Sequence, residues 1–370
     1  MRSGTHIVAA WKRMDWLTAA SMFALVVVGI LFIFSASHQD DAQLSELTQR
    51  QIVWALAGIA VFFGAVAMDY RSAGRVAWAV YAGCIVLLLL LFVIGKKVHG
   101  ATSWMSLFGI QLQPSELAKL GTILLLARFL SEPARDVAHL RSLGIALALV
   151  GLPFLLILQQ PDFGTASTLL PLALAMLFVA GLPLRYIAIV AIVGAMAAVP
   201  GWFLLDDYQR ERVLVFFDPG RDPRGTGWNS IQSGIAVGSG GWTGKGYMMG
   251  TQNILGFLPR TVAPTDFIFS VIAEETGFVG SAVLLLLFAV LLAGCIRAAL
   301  ASRDKFGRLL AVGVAALLFF HVFVNMAMTV GLVPITGLPL PLVSYGGSFM
   351  ICTMAGLGLV QSVYARRFRR

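Results

Sequence analysis

The chain has 370 residues, of which 58% are hydrophobic and only 12% are charged. Soluble domains carry about 25% charged residues, so this composition and a mean hydropathy of +0.85 exclude a single water-soluble globule. The three cysteines each lie inside an apolar run, which excludes a secreted disulfide scaffold. In a soluble protein the net charge of +9 would suggest a nucleic-acid partner, but in a membrane protein it indicates charge that sets topology. We therefore predict a polytopic membrane protein without a nucleic-acid partner.

Ten apolar segments are long enough to cross a bilayer, which takes about 20 residues in a helix. They cover approximately residues 16–36, 50–69, 75–94, 115–131, 142–160, 164–181, 185–205, 266–296, 307–330 and 346–364. Runs of this length are too long for barrel strands, so the predicted fold is an all-α, polytopic integral membrane protein of about ten transmembrane helices. One large extracytoplasmic loop, about 206–265, separates helices 7 and 8, and residues 1–370 are expected to form a single membrane domain.

The distribution of Lys and Arg predicts the orientation of the spans. Arg2, Lys12 and Arg13 precede the first apolar run. That run is longer than the roughly 7–15 residues of a cleaved signal, so we interpret it as an uncleaved first helix. Most Lys and Arg outside the long loop fall on the same side of the membrane as this N-terminal segment, and long loops obey the charge rule weakly. Both termini are therefore expected in the cytoplasm, and the outer face is expected to carry the chemistry.

The long loop is rich in charge, glycine and aromatic residues, and an ordered loop of this length is usually functional. Arg210 and Arg212 either bind an anionic group or simply lie in solvent. The stretch 238–246 does not match a nucleotide-binding P-loop, because Gly246 stands where that motif needs Ser or Thr. Its backbone amides could still form an anion nest with Lys245 as a point charge. A flexible surface loop is the alternative.

Asp266 closes the loop, two residues after Pro264. Because proline disfavours helix at the residue before it, the longest span is expected to begin here. Asp266 is then either an N-cap that accepts backbone amide hydrogen bonds or a functional acid. Glu274 and Glu275 follow about two turns deeper, where carboxylates are costly unless they face protein or water. We expect them to fix the loop or to line a cavity.

Further polar residues lie near the ends of other spans or inside them. Glu116 and Lys119 share one face of the fourth span and form either a structural or a functional pair, while Asp162 is predicted to cap another helix. His321 and Asn325 are four residues apart in the ninth span, where such residues mostly make interhelical hydrogen bonds; a proton relay is the alternative. No cluster of His, Cys and carboxylates has zinc-like spacing.

Residues 337–348 connect the last two spans. They contain two prolines followed by two glycines, which precludes a regular helix. We predict an apolar re-entrant or interfacial segment that suits contact with a lipid tail, and a plain tight turn is the alternative.

Together these stretches resemble the SEDS family of integral-membrane peptidoglycan polymerases over nearly the whole chain. The motifs that carry the resemblance are QPSELAK at 113–119, QPDFG at 160–164, the loop segment 218–246, TDFIF at 265–269 and PLPLVSYGG at 339–347. The run from Gly244 to Gln252 is closer to the elongation members of the family than to its division members.

The resemblance implies roles for particular residues. Asp266 falls on the family's catalytic aspartate. Glu116 and Lys119 fall on its functionally important acid–lysine pair, while Asp162 and Lys245 fall on supporting positions. Two stretches depart from the family's pattern and leave roles that cannot be transferred: Arg260–Pro264 stands where Glu-Arg-His is usual, and Ser103-Trp104 stands where Arg-Trp is usual.

The reaction implied by the resemblance is polymerisation of lipid II, a disaccharide-pentapeptide on undecaprenyl pyrophosphate. The acceptor's 4-hydroxyl would attack the anomeric carbon of the growing chain and expel the pyrophosphate, giving a β-1,4 linkage. A positioned carboxylate base contributes about 10²–10⁴-fold, and we expect Asp266 to be that base. Lys245, Arg210 and Arg212 are candidates for holding the leaving group. No cofactor is certain, although a divalent cation could bridge the pyrophosphate and the acid.

The partners implied are a class B penicillin-binding protein that acts as transpeptidase, other membrane proteins of the elongation complex, and membrane lipid. The expected location is the bacterial cytoplasmic (inner) membrane. A lipid II flippase is the first alternative, and it would need polar groups through the bilayer midplane. A non-catalytic scaffold for a transpeptidase is the second, and it would leave Asp266 dispensable. The crowding of acids and glycine-rich elements on the outer side favours the polymerase.

Overall fold

The computed structural model describes residues 11–37, 45–98, 101–107, 110–133, 135, 137, 139–204, 207–223 and 225–368. In chain order its helices are α1 (Trp16–Ser37), α2 (Glu46–Ala67), α3 (Tyr70–Ile94), α4 (Pro114–Ser131), α5 (Leu140–Leu158), α6 (Phe163–Val179), α7 (Leu184–Leu204), α8 (Asp207–Phe217), α9 (Thr226–Ser239), α10 (Thr251–Ile254), α11 (Ile268–Ala301), α12 (Lys305–Thr329) and α13 (Gly347–Ala365). Each of the ten predicted spans overlaps one of the ten long helices of the described residues, which are α1–α7 and α11–α13.

Seven of these helices, α1, α2, α3, α5, α11, α12 and α13, are long and apolar enough to cross a membrane. Two further apolar helices, α6 and the first part of α7, are shorter, and α4 carries Glu116, Lys119 and Arg128 among its apolar residues. The predicted multi-pass α-helical membrane protein is therefore confirmed, while the count of ten spans and the boundaries of a single domain stay predictions.

A small antiparallel sheet between α3 and α4 was not predicted. Its strands are β1 (Lys96–Val98), β2 (Ala101–Leu107) and β3 (Ile110–Leu112), in the order β1-β2-β3. Met105 pairs with Leu112 in the β2–β3 ladder, which brings the chain directly to Pro114 at the start of α4. The sheet therefore fixes where the fourth long helix begins.

The described residues of the long loop, 207–223 and 225–267, form α8, α9, α10 and the turns between them. The end of the bundle where they lie is called the loop end below. Gly277 interrupts α11 with φ 65° and ψ −159°, a conformation open essentially only to glycine. Around the break, backbone groups of the glycine-rich stretch hydrogen-bond to backbone groups of α11. These bonds run from Phe278 N to Gly241 O, Val279 N to Trp242 O, Lys245 N to Glu274 O and Gly246 N to Glu275 O, at 2.9–3.1 Å. The flexible-loop alternative is thus wrong for this stretch.

We expect Gly277→Ala to lower the melting temperature by at least about 1–4 °C, because the forced φ alone costs about 1–3 kcal/mol and each kcal/mol shifts the melting temperature of a chain of this length by roughly 1.3 °C. A Cβ there would also overlap the backbone nitrogen of Gly244. The matched control is Gly234→Ala in α9, where a Cβ meets open space and alanine favours the helix. Thermal unfolding of the two purified variants checks the prediction, and equal melting temperatures would contradict it.

The opposite end of the bundle is held by Asp304, the N-cap of α12. Its carboxylate accepts hydrogen bonds from Tyr70 Oη and Arg71 Nε at the start of α3 and from Gly307 N in its own helix. Burial alone would raise the pKa of the Asp304 carboxyl, but these hydrogen bonds lower that pKa below its usual range. Asp304 is therefore ionised at neutral pH and ties α3 to α12.

Candidate active site

Asp266 lies in the turn that precedes α11 and is half-buried. The helix begins at Ile268, its N-cap residue is Phe267, and no side chain caps it. The N-cap interpretation of Asp266 is therefore wrong. The backbone of Asp266 is fixed on both sides, because its N–H donates to Val262 O at 3.0 Å and its carbonyl accepts from Asn325 Nδ2 at 2.9 Å.

The carboxylate of Asp266 and the guanidinium of Arg212 approach the same glycine. A Cβ on Gly337, which has φ 73°, would lie 3.5 Å from Asp266 Oδ2 and 3.6 Å from Arg212 Nη1. Arg212 Nη1 also donates to the carbonyl of Ile335 at 3.3 Å. An acid and a cation thus lie close to Gly337, which has no side chain. The three residues come from separate segments: Arg212 from α8, Asp266 from the turn before α11, and Gly337 from the connection after α12.

Arg210 lies in α8 two residues before Arg212, but its contacts differ. Its guanidinium donates to the carbonyls of Trp202 and Phe203 at 3.0 and 2.8 Å, which are among the last carbonyls of α7. A cation there complements the negative end of the helix. The structure therefore gives Arg210 a structural contact, and its predicted contact with substrate stays a prediction.

Lys245 contacts α11 rather than open solvent. Its Nζ lies 2.7 Å from Glu274 Oε1, in a salt bridge with a carboxylate that is 1% exposed. The same oxygen accepts from Thr251 Oγ1 and Gln252 N, both at 3.0 Å. Because Glu274 is six residues into α11, it lies roughly 9 Å along that helix from its first residue. The role of Lys245 in holding the loop is clear, and its contact with a pyrophosphate stays a prediction.

Glu275 holds the loop in the same way. Its two carboxylate oxygens accept from Ser35 Oγ of α1 at 2.5 Å and from Met248 N at 3.0 Å. The expectation that Glu274 and Glu275 fix the loop is therefore confirmed, since both carboxylates are 1% exposed and both are hydrogen-bonded to it.

Glu116 and Lys119 form a buried ion pair, with Lys119 Nζ 2.9 Å from Glu116 Oε1. The exposed fractions of the two side chains are 4% and 1%. On its other side Lys119 Nζ lies 3.0 Å from His321 Nε2 of α12. A cavity of about 20 Å³ borders Glu116 and His321, which is room for a single water molecule. The predicted pair is therefore confirmed as an ion pair shielded from bulk water.

Asp162 caps α6, as predicted, because its Oδ1 accepts from Thr165 N at 3.0 Å. Its other oxygen accepts from Gln113 Nε2 at 3.3 Å, and Gln113 is the residue before α4. The QPD and QPSELAK motifs therefore meet at the loop end, close to the start of the helix that carries Glu116.

The segment 337–345 connects these groups to Asp266. Asn325 Nδ2 donates to Leu338 O at 2.7 Å as well as to the Asp266 carbonyl. Ser344 Oγ donates to Thr265 O at 2.5 Å, and Tyr345 N donates to Pro264 O at 2.9 Å. The prediction of hydrogen-bonding roles for His321 and Asn325 is confirmed, but their partners are mostly backbone carbonyls of this segment.

One contributor was missed by the sequence analysis. Gln51 of α2 is fully buried; its amide donates to Ser344 O, and its carbonyl oxygen accepts from Gly346 N, both at 3.3 Å. The available signal was a lone amide inside the second apolar span. Among the residues described by the structure, no group of three or more His, Cys, Asp and Glu side chains could hold a metal ion.

The stretches that depart from the family pattern have clear positions. Arg260 is exposed, and residues 259–267 form the turn before α11, in which Val262 O accepts backbone N–H groups from Thr265, Asp266 and Phe267. Ser103 in β2 is buried, and its hydroxyl makes no hydrogen bond. The residues that differ from the family pattern before Asp266 thus lie in a turn that is held by backbone hydrogen bonds, which do not depend on the identity of those side chains.

Comparison with known proteins gives consistent matches over the whole chain. Peptidoglycan glycosyltransferase MrdB of Escherichia coli K12 is 42% identical over 349 residues, which cover 94% of this chain and 92% of that protein. Peptidoglycan glycosyltransferase RodA of Treponema pallidum is 34% identical, with 95% of this chain and 98% of that protein covered. These shares show that the likeness is not limited to one segment.

Solved structures agree with this relationship. A chain from a study of the structural coordination of polymerization and crosslinking by a peptidoglycan synthase complex is 35% identical, with a TM-score of 0.81 and coverage of 96% of this chain and 99% of that one. The crystal structure of the rod shape determining protein RodA from Thermus thermophilus is 33% identical, with a TM-score of 0.73 and coverage of 97% and 99%. The family described as cell cycle protein, named for FtsW, RodA and SpoVE, matches residues 15–368. The chain therefore belongs to the FtsW/RodA/SpoVE family.

Proposed function

We propose that the chain is a peptidoglycan glycosyltransferase that polymerises lipid II into β-1,4-linked glycan strands during cell elongation. Relatives named as peptidoglycan glycosyltransferases support this activity, the more similar of them at 42% identity over 94% of the chain. The observation that carries the proposal is the half-buried Asp266 carboxylate, which shares the space over Gly337 with the Arg212 guanidinium.

In the proposed reaction the acceptor's 4-hydroxyl attacks the anomeric carbon of the growing chain. Asp266 removes the hydroxyl proton as the new C–O bond forms, and the bond from the anomeric carbon to the pyrophosphate oxygen breaks with inversion. The pyrophosphate leaves with the bonding electrons, and Arg212 stabilises the charge that it gains. Asp266 thus acts on the attacking hydroxyl, and Arg212 acts on the leaving pyrophosphate of the same displacement.

The proposed location is the bacterial cytoplasmic membrane, with both termini in the cytoplasm and the loop end outside. Apolar helices suit this placement, because the lipid tails of both substrates can remain in the bilayer while the sugars meet Asp266. The proposed partners are a class B penicillin-binding protein, other membrane proteins of the elongation complex, and membrane lipid. The structurally similar chain of a peptidoglycan synthase complex supports a crosslinking partner.

The proposal includes no resident metal. If a divalent cation takes part, Asp266 is the residue that would hold it, and the cation would supply positive charge for the leaving pyrophosphate in addition to that of Arg212. Polymerisation rates in a chelator series, with each divalent cation restored separately, measure this dependence directly.

The function is tested with the purified chain and its transpeptidase partner, whose crosslinking is blocked by a β-lactam. Labelled lipid II is supplied, and the product is separated by length on a gel. We expect a ladder of glycan strands from the wild-type complex. A folded wild-type complex that binds lipid II without making polymer would contradict the proposal and favour the flippase.

Replacing Arg212 by Gln is expected to lower kcat about 10- to 100-fold, because one charged donor at the developing negative charge is lost. The matched control is Arg221→Gln, the same change at an exposed arginine in the 3₁₀ turn after α8. Initial rates of strand formation at saturating lipid II give the comparison. Equal rates for the two variants would remove Arg212 from the reaction.

A further inference from the structure

The Glu116–Lys119 ion pair has no direct role in the reaction proposed above. It belongs to α4, whereas Asp266 is held by the connection after α12. Between the two lies His321, which is fully buried. Its Nε2 is 3.0 Å from Lys119 Nζ, and its Nδ1 is 3.2 Å from the carbonyl oxygen of Pro339. The imidazole therefore bridges the ion pair and the segment 337–345.

The partners of His321 determine how its protons are arranged. An ammonium group can only donate hydrogen bonds, and a carbonyl oxygen can only accept them. Nε2 must therefore accept from Lys119, and Nδ1–H must donate to Pro339, so the ring is neutral. Phe349 of α13 packs against the imidazole with its ring centroid 4.9 Å away. The ring is thus fixed by hydrogen bonds at both nitrogens and by packing on its face.

The segment that His321 holds has little structure of its own. Residues 334–340 form no helix or strand, and Pro339 has no N–H to donate. At Leu338 and Pro339 the segment is held by side chains of α12, in which Asn325 and His321 are one turn apart and face the same way. Asn325 joins the neighbouring carbonyl of Leu338 to the carbonyl of Asp266. Movement of this segment would therefore move the backbone of Asp266.

We propose that His321 is a positioning residue that bridges Lys119 and the Pro339 carbonyl. Through this bridge it holds residues 337–345, and with them Asp266, in a fixed position relative to the buried ion pair on α4. The proposal rests on the proposed function for its catalytic consequence, but not for its structural one. A misplacement of about 1 Å at a reacting group costs on the order of 10²-fold in rate.

Three substitutions separate the two links of the bridge. His321→Asn places an amide donor where Nδ1 stood and keeps the link to Pro339, but it is too short to reach Lys119. His321→Gln places an acceptor near the former Nε2 and keeps the link to Lys119, but it leaves the Pro339 carbonyl without its donor. His321→Leu removes both links. A bridge fails when either link is cut, so the three variants are expected to have similar rates.

The expected result is a fall in kcat of about 10- to 100-fold in all three variants, with KM for lipid II changed by less than about twofold. The control is Leu310→Ala, a fully buried residue of α12 three turns from His321. It destabilises the fold by removing apolar contacts alone, and we expect its kcat to stay within about twofold of wild type at a temperature where it is folded. A merely structural His321 would instead give rates that follow the melting temperatures, with Leu310→Ala affected equally.

Hydrogen–deuterium exchange gives a readout that needs no activity. Peptides that cover residues 264–267 and 337–345 are expected to exchange faster in the His321 variants and at the wild-type rate in Leu310→Ala. An active wild type with unchanged kcat and exchange in the His321 variants would overturn the inference. A wild type that makes no polymer would contradict the proposed function instead, and the exchange rates would then decide the inference by themselves.

Discussion

Replacing Asp266 by Asn is expected to reduce glycan polymerisation by about 10²–10⁴-fold, the usual contribution of a general base. The amide keeps the size and shape of the side chain and one of its two acceptor oxygens, but it cannot take the proton of the acceptor hydroxyl. The backbone hydrogen bonds that fix residue 266, from its N–H to Val262 and from Asn325 to its carbonyl, are unaffected by the change. We therefore expect a folded protein that binds lipid II and polymerises it very slowly.

The measurement is the rate of strand formation from labelled lipid II by the complex with its transpeptidase blocked. Binding of lipid II and the melting temperature are recorded for the same preparations. Glu46→Gln provides the matched control, because it makes the same chemical change at an exposed carboxylate near the start of α2. Its rate is expected to equal that of wild type.

Unchanged polymerisation by Asp266→Asn would exclude the aspartate as the base. The search would then move to Asp162 and Glu116, which lie at the same end of the bundle. Equal rates in Asp266→Asn and wild type would also be expected if the chain were only a scaffold and the partner protein made the polymer. An assay of the partner protein without this chain separates the two cases, because a scaffold would then not be needed for polymer to form.

The sequence predicted those features that depend on short-range spacing. Apolar run length located the long helices, because a helix in lipid must satisfy its backbone internally. The i, i+3 spacing placed Glu116 and Lys119 together, and the position of Asp162 before an apolar run predicted its cap on α6. The roles of Glu274 and Glu275 also followed, since two carboxylates at that depth require partners.

Other features depend on contacts between distant segments, which spacing cannot give. The meeting of Arg212 with Asp266 over Gly337 joins three parts of the chain, and nothing in the sequence distinguishes Arg212 from Arg210. The interruption at Gly277 was missed because glycine is common in membrane helices. Only the structure shows the glycine-rich stretch bonded to the broken helix. The N-cap prediction for Asp266 failed because the turn continues to Phe267.

The second large effect is expected from Lys119→Met, which removes one partner of the buried ion pair. It leaves the Glu116 carboxylate 4% exposed with no cation, and such a change typically lowers the free energy of unfolding by about 3–5 kcal/mol. The double variant Glu116→Gln/Lys119→Met contains no uncompensated charge. We expect it to regain most of the lost stability, because replacing both members of a buried pair is often nearly neutral.

Thermal and chemical unfolding of the single and double variants measures this coupling as a double-mutant cycle. The exposed pair Glu46–Arg50, with side chains 76% and 60% exposed, provides the control cycle. We expect its coupling free energy to be less than about 1 kcal/mol. A Lys119→Met variant as stable as wild type would contradict this expectation, because Glu116 would then carry no uncompensated charge in the variant.

The polymerisation rate of the double variant separates stability from function. If the pair only supported folding, the double variant would recover its rate together with its melting temperature. We expect the melting temperature to recover while kcat stays at least about 10-fold low, because methionine cannot donate to His321 Nε2 and the link from α4 to Pro339 is cut. Recovery of both quantities together would limit the pair to a structural role and would remove α4 from the positioning of Asp266.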